Sequence, residues 1–212
     1  MTVAYPLKSG LYLNITNRCS CACVFCLRNN GANVYNTPPL WLDHEPSLDE
    51  IKTAIAQYNL SLFDETVFCG YGEPTMRLDA MLATAQHLKT LSPSMSIRLN
   101  TNGLANLVHG TDVTPRFSGL LDSVSISLNT SDPAKYLSIC RPAFGLPSHA
   151  ALLEFATLCK NHVPDVVFTI VGSPVTDSAE QTACRAIAER LGVRLRIRKY
   201  ESTTTSAPPE GR

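Results

Sequence analysis

Three cysteines stand close together near the start of the chain: Cys19, Cys23 and Cys26, with three and then two residues between them. Thiols this near one another on one loop can converge as thiolates on a single metal centre. Two chemistries take such a set. A four-iron cluster held by three cysteines keeps one iron open, as catalytic metal sites keep a position for substrate or cofactor. A structural zinc ion instead wants four protein ligands. Cys21, in the same tight loop, or the more distant His44 would then supply the fourth. Cys21 itself joins no triplet of the three-plus-two spacing. Clustered thiols without metal are the plain alternative.

Other residues carry chemistry of their own. Gly70-Tyr71-Gly72-Glu73-Pro74-Thr75 follows a short apolar run. Its glycines let backbone come close to a ligand, and its carboxylate can pair with an amine. Glu73 can equally cap a following helix. Arg194, Arg196 and Arg198 recur at strand period. They suit an anionic substrate or carboxylate if they face a cavity, or a solvated edge if they do not. Cys140 falls in a loop beyond a strand end, near the same site or as an ordinary buried thiol. Cys69, Cys159 and Cys184 read as packing. His44, His87, His109, His149 and His162 form no metal spacing with each other.

The elements that must position these residues alternate strand and helix. Strands are expected at Leu11–Thr16, Thr66–Cys69, Ser96–Asn100, Ser123–Asn129, Val166–Val171 and Arg194–Tyr200. Helices are expected from Ser47, where Ser47 and Glu50 make a capping box, over Leu78–Leu91, over Ser148–Asn161, and from Asp177 with Glu180 to Leu191. Asn106–Leu121, broken by Pro115, is irregular. This order implies βαβ units and a parallel sheet. Within the strands, Leu11, Leu13 and Ile15 alternate with Tyr12, Asn14 and Thr16; Val124, Ile126 and Leu128 alternate with serines and Asn129. Sheets covered on both faces read as continuous apolar runs. One apolar and one polar face instead fit a curved, open barrel with a polar interior. Edge strands facing solvent are the alternative.

Composition sets the frame. The chain has 212 residues, 44% hydrophobic, enough for one domain with a sizeable core. Residues 1–201 read as that domain, and the polar, proline-containing 202–212 as a disordered tail. Charges balance at 18 against 18, so nothing draws the whole surface to nucleic acid or anionic membrane. No apolar run reaches a membrane span, and the N-terminus lacks a secretory apolar core. The expected location is the cytoplasm. There eight cysteines argue for metal or redox chemistry before disulfides.

Cys19-x-x-x-Cys23-x-x-Cys26 directly after a first strand, with Phe25 before the last cysteine, resembles the signature of the radical S-adenosylmethionine (SAM) enzymes. Gly70-Tyr71-Gly72-Glu73-Pro74 resembles their Gly-Gly-Glu-Pro segment, with Tyr71 in place of a small residue. Thr101-Asn102-Gly103 is also common in the family. The resemblance spans about residues 11–200. Leu11–Cys19, the Cys-Val-Phe-Cys-Leu-Arg loop and Trp41-Leu42 are similar to a narrower subgroup, small members associated with TatD-family nucleases. The resemblance implies a partial (β/α)6 open barrel of the α/β class. It implies a [4Fe–4S] cluster on Cys19, Cys23 and Cys26, with SAM on the open iron, cleaved to a radical that takes hydrogen from a substrate. By position it puts Gly70, Gly72, Glu73 and Pro74 at the methionine amino group. Phe25 and Val167–Val171 would lie near the adenine, and Ser127 and Asn129 at the ribose or carboxylate. It also implies an external electron donor such as flavodoxin or ferredoxin. The substrate stays unnamed. Core packing for Phe25 and a satisfied turn for Ser127 and Asn129 are the alternatives.

Overall fold

The computed structural model describes residues 1–30, 39–173 and 175–199. Seven strands lie side by side in chain order: β1 (Ala4–Leu7), β2 (Gly10–Leu13), β3 (Glu65–Phe68), β4 (Ser96–Thr101), β5 (Ser123–Ser127), β6 (Asp165–Val171) and β7 (Arg194–Arg198). β1 and β2 form an antiparallel hairpin; every later neighbour is parallel. Helices occupy the crossovers: α1 (Leu48–Ala56), α2 (Leu78–Leu91), α3 (Ala105–His109), α4 (Pro133–Cys140) with α5 (Pro147–Cys159), and α6 (Ser178–Leu191). Among the described residues β7 has no strand on its outer edge. Six parallel strands in sequence, separated by helices and left open, are the expected partial (β/α)6 barrel.

The alternation read from the sequence is the alternation of the sheet. Register aligns Phe68 with Leu99, Leu99 with Val124, and Ile126 with Phe168. These side chains pack with Ile51 and Ile55 of α1, Met81 and Leu88 of α2, Leu152 and Phe155 of α5 and Cys184 of α6 in one core. The other face aligns Tyr12, Val67, Arg98 and Ser123, and further along Ser127, Thr169 and Arg196. That face bends on itself: Arg98 reaches Tyr12 Oη two strands away at 3.4 Å, and Arg196 reaches Ser125 Oγ two strands away at 3.0 Å. It is the interior of the barrel. A small cluster of Tyr5, Leu40 and Tyr71 forms beside Tyr12, apart from the main core.

Several expectations change. β1 was not expected; it is four residues long and contains Pro6, so it lacks a strand's usual signal. β2 ends at Leu13, earlier than Thr16. α4 was also not expected. It is eight residues long and opens on Asp132, whose carboxylate accepts from Lys135 N at 2.6 Å. Cys140 is therefore the last residue of a helix, not part of a loop. The Ser47–Glu50 capping box forms on both sides. At Asp177 only half of the second box forms: Asp177 accepts from Glu180 N at 2.8 Å, while the Glu180 side chain reaches Ser131 and Lys135 instead. Gly192 ends α6 at φ 60°. Residues 202–212, expected as a disordered tail, lie outside the described residues, as does most of the turn-rich stretch before Pro39.

Candidate active site

The cysteine loop begins just beyond the C-terminal end of β2, the end at which barrels place ligands. Its stem is clamped by Glu45, which accepts from Thr16 Oγ1 at 2.5 Å and Arg18 Nε at 2.8 Å and pairs with Arg77 at 3.2 Å. The loop itself is strapped to the end of α4. Ala22 N donates to Cys140 O at 3.1 Å, Val24 N to Ile139 O at 2.9 Å, and Ala143 N to Ser20 O at 2.8 Å. A loop tied at stem and side holds its thiols in place before any metal arrives.

The five thiols gathered here divide into two kinds. Cys19, Cys23 and Cys26 are half-buried, whereas Cys21 and Cys140 are buried within the core. No disulfide joins cysteines among the described residues. Cys21 donates to Cys19 and holds its thiol below the ordinary value against the effect of burial. Cys140, and after it Cys21, hold Cys23 down to about 4. The two donors move the other way, first through those same bonds and then through burial. Cys26 is pushed up, chiefly by burial. Two of the three spaced cysteines are thus shifted towards the thiolate, the form that binds metal.

Among the described residues, no three histidine, cysteine, aspartate or glutamate side chains gather closely enough to hold one metal ion. Neither candidate for a fourth zinc ligand is free for the role. Cys21 is engaged by hydrogen bonds to Cys19 and Cys23 that push its thiol up, and His44 pairs with Glu50 at 2.8 Å on the surface. A four-iron cluster binds each cysteine through a different iron and needs no fourth protein ligand when one iron serves a cofactor. The donor set fits that group.

The glycine–glutamate turn packs directly on the cysteine loop. Glu73 N donates to Arg18 O at 2.8 Å. A methyl group on Gly72 would overlap the carbonyls of Thr16 and Arg18, and one on Gly70 would overlap the Asn14 amide. Only glycine permits this approach. Glu73 is buried and caps the 3-10 turn Pro74–Arg77. Its Oε1 accepts from Thr75 N at 3.2 Å, Thr75 Oγ1 at 2.8 Å and Thr101 Oγ1 at 2.8 Å; its Oε2 accepts from Asn102 N at 2.7 Å. Burial raises its carboxyl, and the bonds from Asn102, Thr101 and Thr75 oppose that rise. Oε2 has a single donor, so it retains capacity for an ammonium.

Asn102 completes the link. Its Oδ1 accepts from Leu104 N at 3.0 Å, which turns Nδ2 towards the cysteine loop. Nδ2 then donates to Ser20 Oγ at 3.0 Å and lies 3.6 Å from Cys21 Sγ and 3.8 Å from Cys19 Sγ. Sequence reading saw Thr101-Asn102-Gly103 as a turn. It could not see that the turn's amide touches the thiols, because 83 residues separate Asn102 from Cys19.

The remaining expected residues fall as follows. Phe25 is partly buried and packs on the main core. Ser127 ends β5 on the interior face. Asn129 is buried at φ 63°, and its amide donates to Cys140 Sγ at 3.3 Å. Val167, Thr169 and Val171 of β6 face the interior; Phe168 and Ile170 join the outer core. Arg194 is exposed and bound to Asp165 at 2.7 Å, an edge pair rather than a cavity cation. Cys159 and Cys184 are fully buried packing.

Comparison with known proteins gives the class. The model of the Radical SAM superfamily matches residues 13–185, and the chain belongs to that superfamily. Its members are enzymes that use a [4Fe–4S] cluster and SAM. This overturns the reading as a zinc-stabilised binding module. Relatives include the probable GTP 3′,8-cyclase of Methanosarcina mazei, 31% identical over 131 residues, covering 62% of this chain and 36% of that protein. The GTP 3′,8-cyclase of Streptomyces coelicolor is 29% identical over 135 residues, covering 64% and 37%. The chain thus spans little more than a third of these relatives. Among solved structures, a radical SAM methyltransferase from Sphaerobacter thermophilus aligns with a TM-score of 0.63 at 17% identity, over 98% of this chain and 60% of that one. SuiB of Streptococcus suis bound to S-adenosylmethionine aligns at 0.58 with 13% identity, over 92% and 39%. These likenesses show the fold. No helix among the described residues is long and apolar enough to cross a membrane.

Proposed function

We propose that Cys19, Cys23 and Cys26 hold the [4Fe–4S] cluster and that this chain acts on a substrate carrying negative charge. The observation that carries the reading is the division of the thiols: three half-buried at a clamped barrel rim, with Cys21 buried beside them as a hydrogen-bond donor. When bound, the cluster and SAM supply reductive cleavage to methionine and a deoxyadenosyl radical that abstracts hydrogen. The residues do the positioning. The backbone of Gly70 and Gly72, with Glu73 and Pro74 fixing the turn, meets the methionine amino group. Phe25 and the interior side of Val167–Val171 border the adenine. Ser127 reaches the ribose or carboxylate, and Asn129 holds the loop side through Cys140.

An external reductant of the flavodoxin or ferredoxin type supplies the electron. Residues 1–201 form the catalytic domain, and the reaction belongs in the cytoplasm. Leu11–Cys19 and Trp41-Leu42 support the narrower subgroup found with TatD-family nucleases. There Trp41 packs edge-on against Tyr71 at 5.1 Å, beside the glycine–glutamate turn.

Iron content and the low-temperature EPR spectrum after anaerobic reconstitution test the ligand set. About four irons per chain are expected in the parent and in Cys21→Ala, with loss in Cys19→Ala, Cys23→Ala and Cys26→Ala. Equal loss in Cys21→Ala, or iron near eight per chain, contradicts it.

A further inference from the structure

The interior holds more positive charge than its own carboxylates neutralise. Arg98 of β4 is bound at both ends of the Glu65 carboxylate, at 2.6 and 2.8 Å. Arg194 is bound to Asp165. Those two pairs use the carboxylates along this wall. Arg196 and Arg198 have no carboxylate partner among the described residues. Register sets Arg196 beside Thr169 and Arg198 beside Val171, so both sit on the interior face near the C-terminal rim. Arg196 is held by Ser125 Oγ at 3.0 Å, a neutral acceptor that orients the guanidinium without cancelling its charge.

The charges act on one another across the barrel. Burial, and then repulsion from Arg98 and Arg198, lower the affinity of Arg196 for its proton. The field of Arg198 extends to Cys69 at the end of β3. Guanidinium groups gathered without a counter-ion repel one another, and an entering anion relieves that repulsion. Planar guanidinium groups match carboxylate and phosphate oxygens two at a time.

We propose that Arg196 and Arg198 form an oxyanion site that seats a carboxylate or phosphate group of the substrate inside the barrel mouth. This rests on the reading of the chain as a radical SAM enzyme and adds where the substrate's charge is held. Arg98 and Arg194 are excluded from it by their own carboxylates. The reach of Arg198 to Cys69, beside Gly70, makes the SAM carboxylate the competing occupant, which the titration with SAM resolves.

Calorimetric titration of the anaerobically reconstituted protein tests this, with inorganic phosphate, acetate and SAM as separate probes at constant ionic strength. Phosphate or acetate should bind the parent and Arg194→Gln alike. Arg196→Gln and Arg198→Gln should each weaken that anion at least about tenfold while SAM affinity holds. Which of the two anions binds tells phosphate from carboxylate. If Arg196→Gln fails to fold by circular dichroism, Arg198→Gln carries the result. No binding of either anion to the parent overturns the site, as does unchanged affinity in the variants. A tenfold fall in SAM affinity also overturns it, by assigning the pair to the cofactor. Cluster content measured on the same samples keeps a failure of the radical SAM reading separate.

Discussion

On its outer side β4 sets Ile97 and Leu99 fully buried against the helices; on its inner side the same strand sets Arg98, paired to Glu65, and Asn100. β5 and β6 repeat the contrast, with Val124, Ile126 and Phe168 outside and Ser125, Ser127 and Thr169 inside. Neighbouring residues one peptide bond apart thus answer to different physics. Outside, apolar area removed from water stabilises the fold. Inside, polar groups cost stability unless something pairs with them, and they remain because they are used. Substitutions on the two faces should therefore fail in different assays.

The largest effect expected is on the outer face. Phe168→Ala should lose about 3–5 kcal/mol in urea denaturation, because it opens a cavity in the main core. Arg196→Gln, beside Thr169 on the neighbouring strand, should cost almost nothing in that assay, since it removes a repelled charge. Comparable losses from the two variants would erase the contrast between the faces.

A smaller effect tests the rim that joins them. Burial opposes ionisation of Glu180, yet bonds from Ser131, Lys135 and Thr130 hold its carboxyl at about 2. A carboxyl depressed in the folded state contributes stability that is full above the ordinary value of 4.5 and is lost as pH falls towards 2. Glu180→Gln should therefore lower the melting temperature at neutral pH, by about 1 kcal/mol after solvent screening. The gap to the parent should close between about pH 4.5 and 2. A gap that stays constant through that window would remove Glu180 as the tie between the loop after β5 and α6.

Much of this was legible in the chain. Period-two alternation marked the two faces of β2, β5 and β7, and the three-plus-two spacing marked the loop. What was hidden depended on register and on short elements. Arg98 is one basic residue in a strand; its partner Glu65 is 33 residues away and is known only once β3 and β4 are paired. α4 is too short for a clear helical period, so the contact of Cys140 with Cys23 had no local signal. Glu180 had the spacing of a capping box, but Ser131 and Lys135 compete for its carboxylate from another crossover. Arg194, alike in sequence to Arg196, is separated from it by one carboxylate, Asp165.

The most direct test of the central claim is reductive cleavage of SAM. The anaerobically reconstituted parent, given SAM and dithionite, should release 5′-deoxyadenosine and methionine, and Cys21→Ala should do the same. Cys23→Ala should release neither. A parent with its cluster intact that forms no 5′-deoxyadenosine, or release that persists in Cys23→Ala, would contradict the account.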